Sequence, residues 1–362
     1  MKTNKTRTIT HLVAASALAL SACATTGPVQ PYAQNAKIDC GGKKDLAASG
    51  STAQANAMAH FVKSYQNACP GQTLTYTSNG SGAGVSEFIS GKTDFGGSDS
   101  PLQGDEYTAA KQRCNGADAW NLPVVFGPLA ITFNLSSVNV LTLDAPTIAK
   151  IFTGAITRWD DPAITMLNGK MPAEDIRVVY RSDQSGTTDN FQQYLQAASG
   201  GAWNRGTGKV FRGGVGQGAP GNEGTSAMVA KTEGTISYNE WSYAINQNMA
   251  AADIKTSAGI VHIGDDWVGK TLAGAKVSGQ GDNIIVDLSA IYNTTDKGVY
   301  PIMLASYELV CSKNPDAEVG KAVKAFLQST ITVGQTDLTK SGYVPLPPDF
   351  QSKVAAAVSN LA

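Results

Sequence analysis

One local pattern constrains this chain more than any other: a short extended run, a turn of small hydroxyl residues and glycine, then an amphipathic helix. Its fullest instance is Arg181-Ser182-Asp183-Gln184-Ser185-Gly186-Thr187-Thr188. The β-branched run Asp175–Tyr180 before it reads as a strand, and Asp189–Gln196 after it, with Phe191, Tyr194 and Leu195 apolar, reads as a helix. Such a turn presents free backbone N–H groups at the positive end of a helix, which is a ready anion site. Arg181 adds a planar, permanently charged donor, and Asp183 is close enough in sequence to hold its guanidinium. A single turn of this kind reads as an ordinary helix cap behind a surface ion pair. Recurrence changes the reading, because two more follow the same plan.

The first is Ser49-Gly50-Ser51-Thr52, after the strand Lys44–Ala48 and before a helix through Met58, Phe61, Val62 and Tyr65 that stops at Cys69-Pro70-Gly71. Ser51 or Thr52 is placed to cap that helix. The second is Asn79-Gly80-Ser81-Gly82-Ala83-Gly84, between the strand Leu74–Thr77 and a helix marked by Val85, Phe88 and Ile89. Its glycines let backbone approach a ligand closely. A further strand, starting at Thr93, ends in Asp99, which also reads as the cap of a helix beginning Pro101-Leu102. Alternating strands and helices imply α/β architecture, with the turns at the carboxyl ends of strands, where such folds bind ligands.

At 362 residues two domains are expected. The extended apolar run Val124–Phe133, interrupted by Gly127-Pro128, suits a chain crossing from one domain into the next, and Tyr300–Val310 suits the return. The reading is a discontinuous first domain, 40–126 with 298–362, and a second domain, 127–297. The final helices, around Val319–Ile331 and Gln351–Leu361, return to the first domain, and Gly206–Gly224 reads only as a glycine-rich loop.

The N-terminus carries Lys2, Lys5 and Arg7, then the apolar stretch Leu12–Leu20, and ends Leu20-Ser21-Ala22-Cys23. This reads as a secretory signal over residues 1–22, too short to span a membrane permanently. Its last four residues are similar to the bacterial lipobox, in which the cysteine is lipidated. Acyl chains on Cys23 would hold the protein at a membrane surface, and the small-residue stretch 23–39 would act as a flexible tether reaching on the order of 20 Å. Three of the 28 basic residues lie in the signal, so the remaining chain carries 25 basic and 29 acidic groups, net −4. Nucleic-acid binding through a broad basic field is therefore not expected. Cys40, Cys69, Cys114 and Cys311 make an even set in an exported chain, reading as two disulfides with three possible pairings; Cys40 with Cys69 and Cys114 with Cys311 is preferred. Without a CxxC, and with only His60 and His262 beyond the signal, a zinc site has little to build on and no cofactor is expected.

In their order along the chain, the turns at 49–52, 79–84, 94–99 and 181–187 resemble those of the phosphate-binding protein of the Pst ABC transporter, the PstS family. The stretches Ile151–Pro162 and Gly234–Trp241 also match its pattern. The resemblance covers nearly all of residues 43–349, and the lipobox and cysteines look like its actinobacterial, mycobacterial-type branch. It implies a two-domain, periplasmic-binding-protein-like fold of type II, with a ligand cleft between domains joined by two crossover strands. It also implies a monomeric, lipid-anchored protein on the outer face of the cell membrane that passes inorganic phosphate to Pst permease subunits with their cytoplasmic ATPase. By the family's pattern Thr52, Ser81 and Asp99 come from one domain, and Arg181, Ser185, Gly186 and Thr187 from the other, with Asp183 orienting Arg181; Ser51, beside Thr52, is counted among the phosphate-binding candidates. Ala53 stands where the family often has an aromatic residue, and Gln184 where glycine is frequent.

The chemistry of the residues agrees with that assignment. Phosphate at neutral pH still carries a proton and sulfate does not, so a carboxylate at Asp99 can accept a hydrogen bond from phosphate but would face only lone pairs on sulfate. Two other classes of function are weighed against this reading. A phosphate-ester hydrolase would use Ser81 or Ser185 as nucleophile, yet Gly-x-Ser-x-Gly is absent around Ser81 and neither histidine is an evident base. A binder of another oxyanion, such as sulfate or molybdate, is disfavoured by Asp99. The run Gly264-Asp265-Asp266-Trp267-Val268-Gly269-Lys270-Thr271 matches a nucleotide phosphate loop, but two aspartates would oppose a triphosphate there, and it reads as a surface loop.

Overall fold

The computed structural model describes residues 37–264 and 272–362; the signal, Cys23, most of the tether and the stretch 265–271 lie outside them. It begins with the alternation read from the sequence: β1 (Asp45–Gly50), α1 (Ala55–Ala68), β2 (Thr73–Ser78), α2 (Ser81–Ile89) and β3 (Phe95–Ser98). On α1 the spacing of Ala57, Met58, Phe61 and Tyr65 buries one face. β1 pairs in parallel with β2 on one side and β3 on the other, bringing Gly50 opposite Gly97. Only glycine suits position 50: its φ is +141°, and a Cβ there would lie 1.9 Å from the carbonyl oxygen of Gly97.

α3 (Asp105–Arg113) starts after Gly104, well beyond Pro101. Asp99 is therefore not a helix cap, and its carboxylate is free for other partners. β4 (Ala119–Asn134) is followed by β5 (Thr142–Asp144), α4 (Ala145–Phe152), α5 (Pro162–Asn168), β6 (Arg177–Arg181), α6 (Gly186–Ala198), β7 (Gln217–Ala219), α7 (Gly221–Lys231), β8 (Thr235–Glu240) and α8 (Trp241–Asn246). The stretch 206–224 is thus more than a loop, since it contains β7 and the first turn of α7. Short strands follow: β9 (Ala250–Ala251), β10 (Asp253–Thr256), β11 (Gly259–Val261), β12 (Lys276–Val277) and β13 (Val286–Asp287). β14 (Met303–Cys311) then leads to the helices Ala317–Ile331 and Pro348–Ser359.

The main sheet runs β2-β1-β3-β14-β4-β8-β6-β7. β4 carries the chain between its two halves by changing partner. From Ala119 to Pro128 it lies antiparallel to β14, and from Leu129 to Asn134 antiparallel to β8. Pro128, which has no N–H to give a ladder, sits where the partner changes. The register with β14 also shifts between Ser306 and Tyr307, opposite Val125 and Pro123. The return crossing, just before β14, is tied to β4 by Leu129 N–H donating to the Ile302 carbonyl at 2.8 Å. The result is an α/β protein of two halves joined by two crossover strands, with the β1, β3 and β6 ends facing one cleft.

Each half has its own aromatic core. In the first, Phe326 of the helix Ala317–Ile331 stacks on Phe95 at 5.2 Å and meets Tyr65 edge-on at 5.6 Å. In the second, Phe191 stacks on Tyr238 at 4.3 Å and Phe152 packs edge-on at 4.8 Å. The disulfides join Cys40 to Cys69 and Cys114 to Cys311, the preferred pairing. The second ties the end of α3 to the end of β14 across 197 residues.

Candidate functional site

Asp99, one residue beyond β3, is 3% exposed and ringed by hydroxyls. Its Oδ1 accepts from Ser51 Oγ at 2.5 Å and from Ser306 Oγ at 2.8 Å. Its Oδ2 accepts from Thr187 Oγ1 at 3.4 Å and Ser81 Oγ at 3.5 Å, while its own N–H donates to Ser81 Oγ at 3.1 Å. Ser51 Oγ also accepts the Ala53 N–H at 3.0 Å. α1 starts only at Ala55, and neither Ser51 nor Thr52 is its cap residue; Ser51 folds the turn locally instead.

From the opposite half comes Arg181 at the end of β6, with a side chain 1% exposed. Asp183 grips it through two oxygens: Nε donates to Oδ1 at 2.8 Å and Nη2 to Oδ2 at 2.5 Å. Ser185 caps α6 by accepting the Thr188 N–H at 3.1 Å, so the Gly186 and Thr187 amides form the helix's open end. A Cβ on Gly186 would lie 2.7 Å from Asp99 Cβ and 2.8 Å from Ser81 Oγ, which shows how closely the halves meet. Gly82 N–H donates to the Gln184 carbonyl at 2.9 Å, and Lys209 Nζ donates to Glu106 Oε1 at 2.8 Å, also across the cleft. Ser51, Thr52, Ser81, Asp99, Arg181, Ser185, Gly186 and Thr187 are thus all buried, and they converge on one place.

Three contributors escaped the sequence reading. Ser306 lies in the middle of an apolar crossing strand. Asn222 opens α7, donating to Thr52 Oγ1 through its backbone N–H at 3.1 Å and through Nδ2 at 3.0 Å. Gly221 N–H, beside it, donates to Asp183 Oδ1 at 3.1 Å. The run Gln217-Gly218-Ala219-Pro220-Gly221-Asn222 before a helix is a fourth version of the same turn, hidden by its surrounding glycines. Tyr243 supports the first turn from α8, its hydroxyl donating to the Thr52 carbonyl at 2.9 Å.

The electrostatics divide the carboxylates by role. Burial pushes Asp99 above the ordinary carboxylate range, against the pull of the Ser51 and Ser306 hydroxyls and the Arg181 charge. Asp183 goes the other way: burial would raise it, but the hydrogen bonds and charge of Arg181 bring it below the usual value. Asp183 engages Nε and Nη2 of Arg181, while Nη1 has only a long 3.4 Å contact with Thr187 Oγ1. Behind the site, burial pushes Glu240 up to about 8 against its bonds from Ser242, and pushes Glu308 well above its ordinary value. The sign follows for Glu240. Between about pH 4.5 and 8 the unfolded chain ionises this group while the folded chain keeps its proton, so stability from it is lost as pH rises through that window. The E240Q variant cannot ionise there. Its stability relative to the parent should therefore improve by about 4 kcal/mol between the two ends of the window, read from urea unfolding at each end; parallel profiles would contradict the buried-acid reading.

A cleft of about 700 Å³ opens beside Asp99, with Gln103, Asp189, Gln193 and Asp287 in its walls; among the described residues no lysine or arginine lines it. Among the described residues neither histidine bonds to a serine, and His262 Nδ1 pairs with Asp253 at 2.6 Å.

The model of the PBP superfamily domain matches residues 24–330. Over 371 positions, covering all of both chains, the sequence is 57% identical to phosphate-binding protein PstS 3 of Mycobacterium tuberculosis (strain ATCC 25618 / H37Rv). The chain belongs to the PstS family. PstS 2 of the same organism is 50% identical over the whole of both chains. PstS of Xylella fastidiosa is 33% identical over 80% of this chain and 78% of its own. Among solved structures, a high-affinity periplasmic phosphate-binding protein crystallised with phosphate superposes with a TM-score of 0.70 at 22% identity, covering 86% of this chain and 93% of that one. A phosphate-binding protein from Stenotrophomonas maltophilia gives 0.67 at 20% identity, covering 87% and 94%. Both likenesses establish the fold: a PstS-type molecule of two halves around a cleft.

Proposed function

We propose that this PstS-family chain captures inorganic phosphate outside the cytoplasm and delivers it to the membrane permease and cytoplasmic ATPase of a Pst importer, doing no chemistry itself. The observation that carries the reading is the pairing, in one buried cluster, of a lone acceptor with a ring of donors. Asp99 lies among the hydroxyls of Ser51, Ser81 and Thr187 and opposite Arg181. Donors from Thr52, Ser81, Ser185, Gly186, Thr187 and Arg181 would hold the oxygens of the anion, and Asp99 would accept the proton that phosphate keeps and sulfate lacks. Contacts from both halves favour the closed form when the ion is bound. The mycobacterial relatives, both named phosphate-binding proteins, support the same reading. Cys23 would carry the lipid that keeps the protein at the outer face of the membrane, with residues 24–39 as its tether.

The test is calorimetric titration of the soluble chain, begun after Cys23 and freed of carried-over phosphate. One-to-one binding of phosphate with no heat from sulfate is expected. Equal heats from the two anions would remove the role given to Asp99, and silence toward phosphate would bring forward hydrolysis of phosphate esters by a site serine.

A further inference from the structure

Asn222 is fully buried in the first turn of α7, and its orientation is fixed by chemistry. Its Oδ1 accepts the Glu240 backbone N–H at 3.0 Å, a group that can only donate, so its amide nitrogen has to face the other way. There Nδ2 donates to Thr52 Oγ1 at 3.0 Å and reaches Thr187 Oγ1 at 3.4 Å, while the Asn222 backbone N–H donates to Thr52 Oγ1 at 3.1 Å. A hydroxyl has one proton and two lone pairs. On Thr52, N–H groups of Asn222 take up both lone pairs, so the proton points away from Asn222. On Thr187, lone pairs face Asn222 Nδ2 and Arg181 Nη1, the latter at 3.4 Å, so its proton is directed away from Asn222, to the side where Asp99 Oδ2 accepts it at 3.4 Å and where the anion would take it over.

We infer that Asn222 is a positioning residue: it sets Thr52 and Thr187 as proton donors toward the bound anion. Thr52 and Thr187 stand on opposite halves, so the same side chain clasps the cleft shut over the ion. The inference rests on the phosphate reading above. It makes the site selective for an acceptor-rich ligand without Asn222 touching that ligand, and it gives the open end of α7 a task alongside the turns at Thr52, Ser81 and Gly186.

Substitution by aspartate reverses the logic. An ionised carboxylate at this position accepts protons from Thr52 and Thr187, withdraws them from the ligand and adds a negative charge. The titratable groups around it are Asp99 beyond β3, Arg181 at the end of β6 with Asp183 just after it, Glu223 on α7, and Glu240 at the end of β8, which keeps its proton up to about pH 8. In phosphate titrations, N222A is expected to bind about tenfold more weakly than the parent and N222D about thirtyfold more weakly. The N222D deficit, taken against the parent at each pH, should shrink from about pH 8 to about pH 5 as the introduced carboxyl takes up a proton and becomes a donor; the N222A deficit should stay constant. A double-mutant cycle keeps the question open to failure if N222D folds poorly: if Asn222 acts through Thr52, the losses in T52V and N222A should not add. A parent that binds no phosphate would overturn the functional reading itself. A parent that binds while both Asn222 variants stay within about threefold of it, or strictly additive losses in the cycle, would overturn the role of Asn222 alone.

Discussion

Replacing Arg181 by methionine is expected to weaken phosphate binding by about a thousandfold, because it removes a buried cation from the site and strands its partner. Asp183 is held by two short hydrogen bonds from a guanidinium that is 1% exposed. Breaking a buried pair on one side costs about 3–5 kcal/mol, and every 1.4 kcal/mol is a factor of about ten in affinity. Two effects are mixed in the single variant: loss of ligand contact, and an Asp183 carboxylate left with backbone N–H donors, chiefly that of Gly221 at 3.1 Å. The R181M/D183N double variant separates them. It should recover thermal stability relative to R181M, because the uncompensated charge is gone, yet remain unable to bind phosphate at micromolar concentration. Recovery of binding together with stability would mean that the guanidinium serves only the fold.

The second large effect is expected at Asp99, where D99N should lower phosphate affinity by about a hundredfold and admit sulfate, judged by hydrogen bonds to charged groups worth about 1.5–3 kcal/mol each. The substitution is nearly isosteric, so Ser51 and Ser306 keep an oxygen to donate to at the Oδ1 position. What changes is the side toward Ser81 and Thr187: an amide there donates where the carboxylate accepted. Phosphate loses its proton acceptor, whereas sulfate loses a repulsive neighbour. Paired titrations with the two anions read the result as a ratio, which is insensitive to a general loss of folded protein. An unchanged phosphate-to-sulfate ratio would move selectivity away from Asp99.

Much of this site was legible in sequence because its parts are local. A strand, a turn of Ser, Thr and Gly and a helix occupy about ten residues, and the open N–H groups follow from helix geometry alone. Arg181 and Asp183 are two residues apart and had little choice but to meet. The Asp99 cap was misread for a local reason as well: Asp before Pro101-Leu102 suits a helix start, but the chain runs on to Gly104 before turning into α3. Ser306 and Asn222 were not legible. Ser306 reaches Asp99 across 207 residues only because β14 inserts between β3 and β4, and nothing in Ala305-Ser306-Tyr307-Glu308 announces that neighbour.

By itself the sequence determined the grammar of the molecule: α/β alternation, anion-ready turns at strand ends, a crossing strand interrupted by Gly127-Pro128, and four cysteines able to form two disulfides. These rest on backbone periodicity, glycine conformation and short-range hydrogen bonding, which act within a few residues. Only the tertiary structure decided which donors share one cluster, that Ser51 and Ser306 both spend their protons on Asp99, and that α7 brings Asn222 onto Thr52. Those are partnerships of buried polar groups. Each such group must find a partner once water is excluded, and which partner it finds depends on sheet order and on the meeting of the two halves.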